Sequence, residues 1–158
     1  MNSEAGYAII SVYRLDGVFM RIAVIDGQGG GIGRTVIETL RKRLGDELVI
    51  VALGTNALAT SSMLKAGANE GATGENAVVV CAPKADVIIG SLAILAANSM
   101  LGELTPAMAR AVAESPAQKV LIPLNRCRLS VMGVTGKPLP HYVEDVVDFI
   151  RTMMRREP

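Results

Sequence analysis

Apolar residues in this chain follow two alternating rhythms, short unbroken runs and helical stripes. Residues 21–26 (R-I-A-V-I-D) and 48–53 (L-V-I-V-A-L) are short apolar runs, the pattern of buried strands. Between them Ile32, Val36, Ile37, Leu40 and Leu44 recur at helical spacing with charges opposite, and Gly45 follows as a stop signal. Strand, glycine loop, helix, strand is a βαβ unit. Strands apolar on both sides predict a parallel sheet with helices on both faces.

The pattern continues with a small-residue helix from Ala57 to Ala66, closed by Gly67, and a long glycine-containing loop over 67–76. A loop of that length is expected to be functional or interfacial, and interfacial if it lies at the sheet edge away from the first glycine loop. Val78, Val79 and Val80 favour a strand by β-branching. Too few residues separate them from the next apolar run for a parallel crossover, which leaves a hairpin or, preferred here, a short helix. Ala85–Ile89 is a third strand, 92–101 an apolar helix, and 105–114 a helix capped by Thr105 with Pro106 in its first turn. Lys119–Leu124 and Arg128–Val134 read as the fourth and fifth strands. Residues Pro140–Arg156 form an amphipathic closing helix through Val143, Val146, Val147, Ile150 and Met154. The expected architecture is one Rossmann-like domain over 20–158, a three-layer α/β/α sandwich on a mostly parallel sheet of about five strands. Residues 1–19 are expected to be an N-terminal extension.

Composition removes several function classes. Of 158 residues 50% are hydrophobic but only 3% aromatic, with no Trp, so a surface that stacks nucleic-acid bases on rings is not expected. A net charge of +1 supplies no basic surplus for a phosphate backbone. Cys81 and Cys127 form no CxxC pair and His141 is the single histidine, which argues against a Cys/His metal site. The cysteine usage fits a reducing cytosol, so a cytoplasmic location is expected. The longest apolar run, Val87–Ala97, is too short to span a bilayer, and no basic stretch precedes the apolar Tyr7–Tyr13 patch as it would in a signal peptide.

Chemistry concentrates at residues 26–35, D-G-Q-G-G-G-I-G-R-T, between a strand and a helix. Glycines permit close backbone approach, and a helix start offers free N–H groups and a positive dipole end, the requirements of a phosphate site. The alternative is that the glycines only allow tight strand–helix packing. Gly27, Gly31 and Gly33 resemble the Gly-x-x-x-Gly-x-Gly turn of short-chain dehydrogenases. That likeness ends at the loop: none of the three tyrosines has a lysine four residues on. The end of the second strand, where dinucleotide folds of the NAD type carry an acid for the ribose, holds Gly54, Thr55 and Asn56. A P-loop fails twice, with Gln28 for its first glycine and Arg34 for its lysine. Asp26 either braces the loop amides, bonds a ligand hydroxyl or holds Mg²⁺.

Ligands of open parallel sheets lie beyond the carboxyl ends of the strands. The binding residues expected there are Asp26, Gly27, Gln28, Gly29, Gly30, Gly31, Ile32, Gly33, Arg34 and Thr35, then Gly54, Thr55 and Asn56, Ser91, and Asn125 with Arg126. Asn98 and Ser99 are candidates for the same cleft. Proton-transfer candidates are Asp26 and, behind it, Glu70, Glu75 and Glu103. Cys127 stands between Arg126 and Arg128, which would favour its thiolate; a structural cysteine is the plainer reading, and His141 reads as a first-turn surface residue.

The motifs I-D-G-Q-G-G-G-I-G, A-L-G-T-N-A-L-A-T-S, K-A-G-A-N-E-G-A-T-G-E-N, A-N-S-M-L-G-E and P-L-N-R-C together resemble domain-of-unknown-function family 3842, short bacterial proteins. The resemblance spans about residues 20–135 and implies a bacterial cytosolic protein, without supplying a reaction. The residues themselves lead to a nucleotide (NAD(P)-like) or another phosphorylated small molecule as ligand. A sensor or partner module is favoured over a dehydrogenase, and a homodimer through residues 92–101 is possible on the pattern. The alternative is a small enzyme acting on such a ligand, a degenerate P-loop NTPase included.

Overall fold

The computed structural model describes residues 19–124 and 127–155; the expected extension therefore lies outside the described residues except for Phe19. Five parallel strands form one sheet: β1 (Met20–Asp26), β2 (Leu48–Gly54), β3 (Glu70–Thr73), β4 (Val87–Ser91) and β5 (Gln118–Ile122). Their spatial order is β3-β2-β1-β4-β5. The helices are α1 (Gly31–Leu44), α2 (Ala57–Lys65), α3 (Glu75–Cys81), α4 (Pro106–Glu114) and α5 (Leu139–Met154).

Alternation along each strand builds two cores. Ile22 and Val24 of β1, Ile50 of β2 and Ile89 of β4 face Val36, Ile37 and Leu40 of α1, Met63 of α2 and Val143, Val147 and Ile150 of α5. Ala23, Ile25, Leu53 and Ile88 face the other way, onto Val78 of α3 and Met108 and Val112 of α4. Each fully buried Ile, Leu or Val contributes roughly 1.5–3 kcal/mol, so two-sided strands hold a three-layer sandwich with few aromatic rings. Gly45 ends α1 at φ 66°, its N–H donating to the Arg41 carbonyl at 3.0 Å. Thr105 caps α4 by accepting from the Met108 N–H at 3.2 Å.

Three expectations are corrected. Within the expected loop 67–76, residues 70–73 are strand β3, paired with β2 from Val51↔Glu70 to Gly54↔Thr73. E-G-A-T carries no apolar run; the strand is set by Asn69, whose Oδ1 accepts from the Ile50 N–H at 2.7 Å while its own N–H donates to the Ile50 carbonyl at 2.8 Å. The expected fifth strand, 128–134, is not one: Arg128 at φ 54° and Gly133 at φ 83° turn the backbone out of the extended region. Residues 92–101 are not one helix. They make two short 3₁₀ turns, Leu92–Leu95 and Met100–Gly102, with positive φ at Asn98 between them and at Met100 and Leu101 within the second. The helix on which a dimer face was expected is therefore absent. The preferred helix at Val78–Val80 is present as α3. No helix among the described residues is long and apolar enough to cross a membrane.

Candidate functional site

The strand order reverses direction between β1 and β4, so the crevice of a parallel sheet opens there. A cavity of about 310 Å³ occupies that position. Asp26, Gly27, Gln28, Gly29, Gly30, Gly31 and Ile32 line it from β1 and the start of α1, Ser91 and Ala93 from the end of β4, and Met100 and Leu139 from further along the chain.

Asp26 is 6% exposed and braces the loop. Its Oδ1 accepts from the Gly27 N–H at 2.8 Å and its Oδ2 from the Gly33 N–H at 2.7 Å. A carboxylate at the amino end of α1 is electrostatically favourable, and Asp26 ties the first loop glycine to the third residue of the helix. The Gly30 N–H closes a turn onto the Gly27 carbonyl at 2.9 Å, and the Arg34 N–H bonds the Gly30 carbonyl at 2.9 Å. Gln28 gives its N–H to Glu103 Oε2 at 2.8 Å. The amides of Gly29, Gly31 and Ile32 have no acceptor among the described residues.

The loop glycines divide by what surrounds them. A Cβ at Gly33 would run into the Met63 thioether, and one at Gly30, already at φ 70°, would lie 2.8 Å from Ala59 Cα. A Cβ at Gly27 would lie 2.5 Å from both Met100 Sδ and Thr55 Oγ1. Those three are packing glycines. Gly29 and Gly31 have nothing within 4 Å of the Cβ position and no positive φ. Neither the neighbours nor the backbone demand glycine at these two, and both line the cavity.

Ser91 faces them from β4. It is 6% exposed, and its hydroxyl makes no hydrogen bond among the described residues while remaining accessible. A hydroxyl buried to that degree and left unpaired at a cavity wall is suited to meet a ligand or water.

The other expected residues distribute as follows. Gly54 packs against Thr60, and Thr55 and Asn56 turn toward Glu103 rather than into the cavity: Thr55 Oγ1 donates to Glu103 Oε2 at 2.5 Å and Asn56 Nδ2 to the same oxygen at 2.9 Å. Arg34 points away, pairing with Glu38 at 2.8 Å on the outer surface of α1. Thr35 returns its hydroxyl to the Gly31 carbonyl at 2.8 Å. Asn98 is exposed, and Ser99 Oγ donates to the Ala93 carbonyl at 2.7 Å, so neither lines the cavity. Glu70 lies at the opposite end of the sheet with Arg21, and Glu75 is exposed in the first turn of α3. Asn125 and Arg126 lie outside the described residues. His141 is an exposed first-turn residue of α5.

Glu103 is the residue that sequence reasoning undervalued. Its Oε2 collects three donors, and the bonds from Thr55 first and the Gln28 amide second hold its carboxyl below the usual glutamate range; burial opposes them, and the Asn56 bond adds a smaller lowering. Met100 and Leu139, both cavity walls, were likewise invisible without tertiary contacts. The described lining has no Lys or Arg, and among the described residues no three His, Cys, Asp or Glu side chains gather as a metal's ligands would.

The sheet order, the two helix layers and the loop at the switch point define a Rossmann-like α/β domain. Within that class the chain belongs to the family described as Domain of unknown function (DUF3842), which matches residues 21–155. No curated protein matches the chain.

Proposed function

We propose that this protein binds a phosphorylated small molecule, nucleotides included, with a phosphate seated on the amino end of α1, and that it serves as a sensor or partner module for that ligand. The observation that carries this reading is the pair Gly29 and Gly31. They are glycines that packing and φ leave unexplained, beside three amides and across from a Ser91 hydroxyl that have no partner among the described residues. A phosphate oxygen approaching amides at a helix start needs the space a Cβ would take.

Binding is favoured over turnover by how the acids are used. Asp26 is committed to two loop amides and Glu103 to three donors, so neither stands ready for proton transfer. The test is a thermal-shift screen of the full chain with NAD, NADP, FMN, ATP, AMP, coenzyme A and sugar phosphates, repeated on Gly31→Val. A ligand at 100 times its Kd raises stability by about 2.7 kcal/mol. The expected result is a shift for at least one phosphate compound that Gly31→Val abolishes. An equal response in the variant overturns the site, and multiple turnover of a bound compound overturns the sensor reading.

A further inference from the structure

The segment between β4 and α4 is strained. Asn98, Met100 and Leu101 sit at φ 63°, 56° and 58°, and Gly102 follows at 90°. Left-handed backbone at a non-glycine costs on the order of 1 kcal/mol or more per residue and persists only where surrounding contacts fix it. They do so here. Ser99 Oγ is bonded to the Ala93 carbonyl, the Asn98 N–H reaches the Leu104 carbonyl at 2.8 Å, and Leu104 is fully buried. The tip, Leu101, is 98% exposed and makes no packing contribution that would explain the conformation.

The strained path places two side chains on the glycine loop. Met100 stands over Gly27, and Glu103 joins Gln28, Thr55 and Asn56 through a single oxygen. Asn56 Nδ2 also donates to the Gln28 carbonyl at 2.9 Å, so the cluster closes on itself. This is the carboxyl end of β2. In dinucleotide-binding sheets the ligand crosses the switch point, and an acid at the end of the second strand holds the ribose of one half. Here the chain's own Glu103 fills that place, reaching it from the far side of the sheet. The remaining cavity lies between β1 and β4, is not lined by Thr55 or Asn56, and at about 310 Å³ stands at the lower end of ligand-pocket volumes.

We infer that Met100 and Glu103 close the β2 half of the site, so that it accepts a phosphomonoester of mononucleotide or sugar-phosphate size and excludes dinucleotides. The inference rests on the phosphate-site reading above. Glu103 is then a specificity-determining residue that acts by occupying ligand space.

The experiment is calorimetric titration of the full chain with AMP, ribose 5-phosphate and NAD, on the natural sequence, Glu103→Ala and Glu103→Gln. For the natural sequence, AMP or ribose 5-phosphate should bind at least ten-fold more tightly than NAD. Glu103→Ala should narrow that gap at least ten-fold while monophosphate binding persists, with Glu103→Gln, which keeps an acceptor oxygen, in between. NAD binding as tightly as AMP to the natural sequence overturns the inference and leaves the phosphate site standing; so does a gap that neither Glu103 variant moves. Binding of none of the three to the natural sequence, which then fails to respond to inorganic phosphate as well, overturns the site and the inference together. Should Glu103→Ala fail to fold, Glu103→Gln and the natural-sequence ratio still decide.

Discussion

The glycine loop has one side turned to β2 and one to β4, and the two are finished differently. Toward β2 the space is full: Gly27 lies under Met100 and Thr55, Gly54 lies against Thr60, and Glu103 gathers the Gln28 amide, Thr55 and Asn56. Toward β4 it is empty. Gly29 and Gly31 have no neighbour at the Cβ position, and the Ser91 hydroxyl has no partner among the described residues. A glycine-rich loop at a helix start is usually assigned one purpose. Here one stretch supplies close packing on one side and open, donor-rich backbone on the other, so the two purposes separate by substitution.

The largest effect belongs to the filled side. A Cβ at Gly54 would meet the Thr60 hydroxyl, its backbone N at 2.6 Å and the Asn56 carbonyl at 2.8 Å. Backbone neighbours cannot swing aside, so Gly54→Val is expected to lose about 3 kcal/mol in urea unfolding, at the upper end of overpacking costs. A loss under about 1 kcal/mol would mean that this side is as yielding as the other.

Glu103 gives the next effect, through pH. Its carboxyl is held below the usual glutamate value by the donors around it. A depressed native value contributes stability that is fully present above the unfolded value of about 4.3 and is lost as pH falls through the native one. The melting-temperature difference between the natural sequence and Glu103→Gln should therefore be constant above about pH 5 and close below about pH 4. A difference that stays flat down to pH 3 would show that the carboxylate is not what holds the β2 side shut.

How much of this contrast is legible in the sequence follows from what pattern can encode. The βαβ unit is legible because the apolar runs at 21–26 and 48–53 and the stripe through Leu40 are bought by local burial on both sheet faces. The switch-point loop is legible because strand, glycines and helix are contiguous. Strand β3 is not, since Asn69 and an edge register place it rather than hydrophobicity. The turn at 96–103 reads as helix because Leu92, Ile94 and Leu95 are apolar, while Asn98, Ser99 and Gly102, residues that favour turns, decide its course. Glu103 reads as a distant acid; only the folded chain brings it to the end of β2, where the sequence shows no acid.

A smaller effect marks the open side. Gly31 is the first residue of α1, with no positive φ and no neighbour for a Cβ. Replacing such a glycine with alanine reduces the freedom of the unfolded chain, and Gly31→Ala is expected to gain about 0.4–1 kcal/mol in urea unfolding. The same substitution should weaken the response to a phosphate compound, because the added methyl stands where the ligand approaches. Gain in stability together with loss of binding is the signature of a glycine kept for a ligand. A loss of stability would return Gly31 to the packing group and erase the difference between the two sides.

Arg34 should show the smallest effect, and it tests where the open side ends. It is the one cation within the glycine loop sequence and one of the binding residues expected from that sequence. In the fold it leaves the cavity, and its guanidinium pairs with Glu38 four residues on, with 60% of the side chain exposed. Exposed pairs of this kind contribute little. Arg34→Met is therefore expected to leave both the unfolding midpoint and the phosphate response unchanged within error, read in the same thermal-shift screen. If the variant instead loses the response, the phosphate sits on the outer surface of α1 beside Arg34. The empty space over Gly29 and Gly31 would then need another explanation.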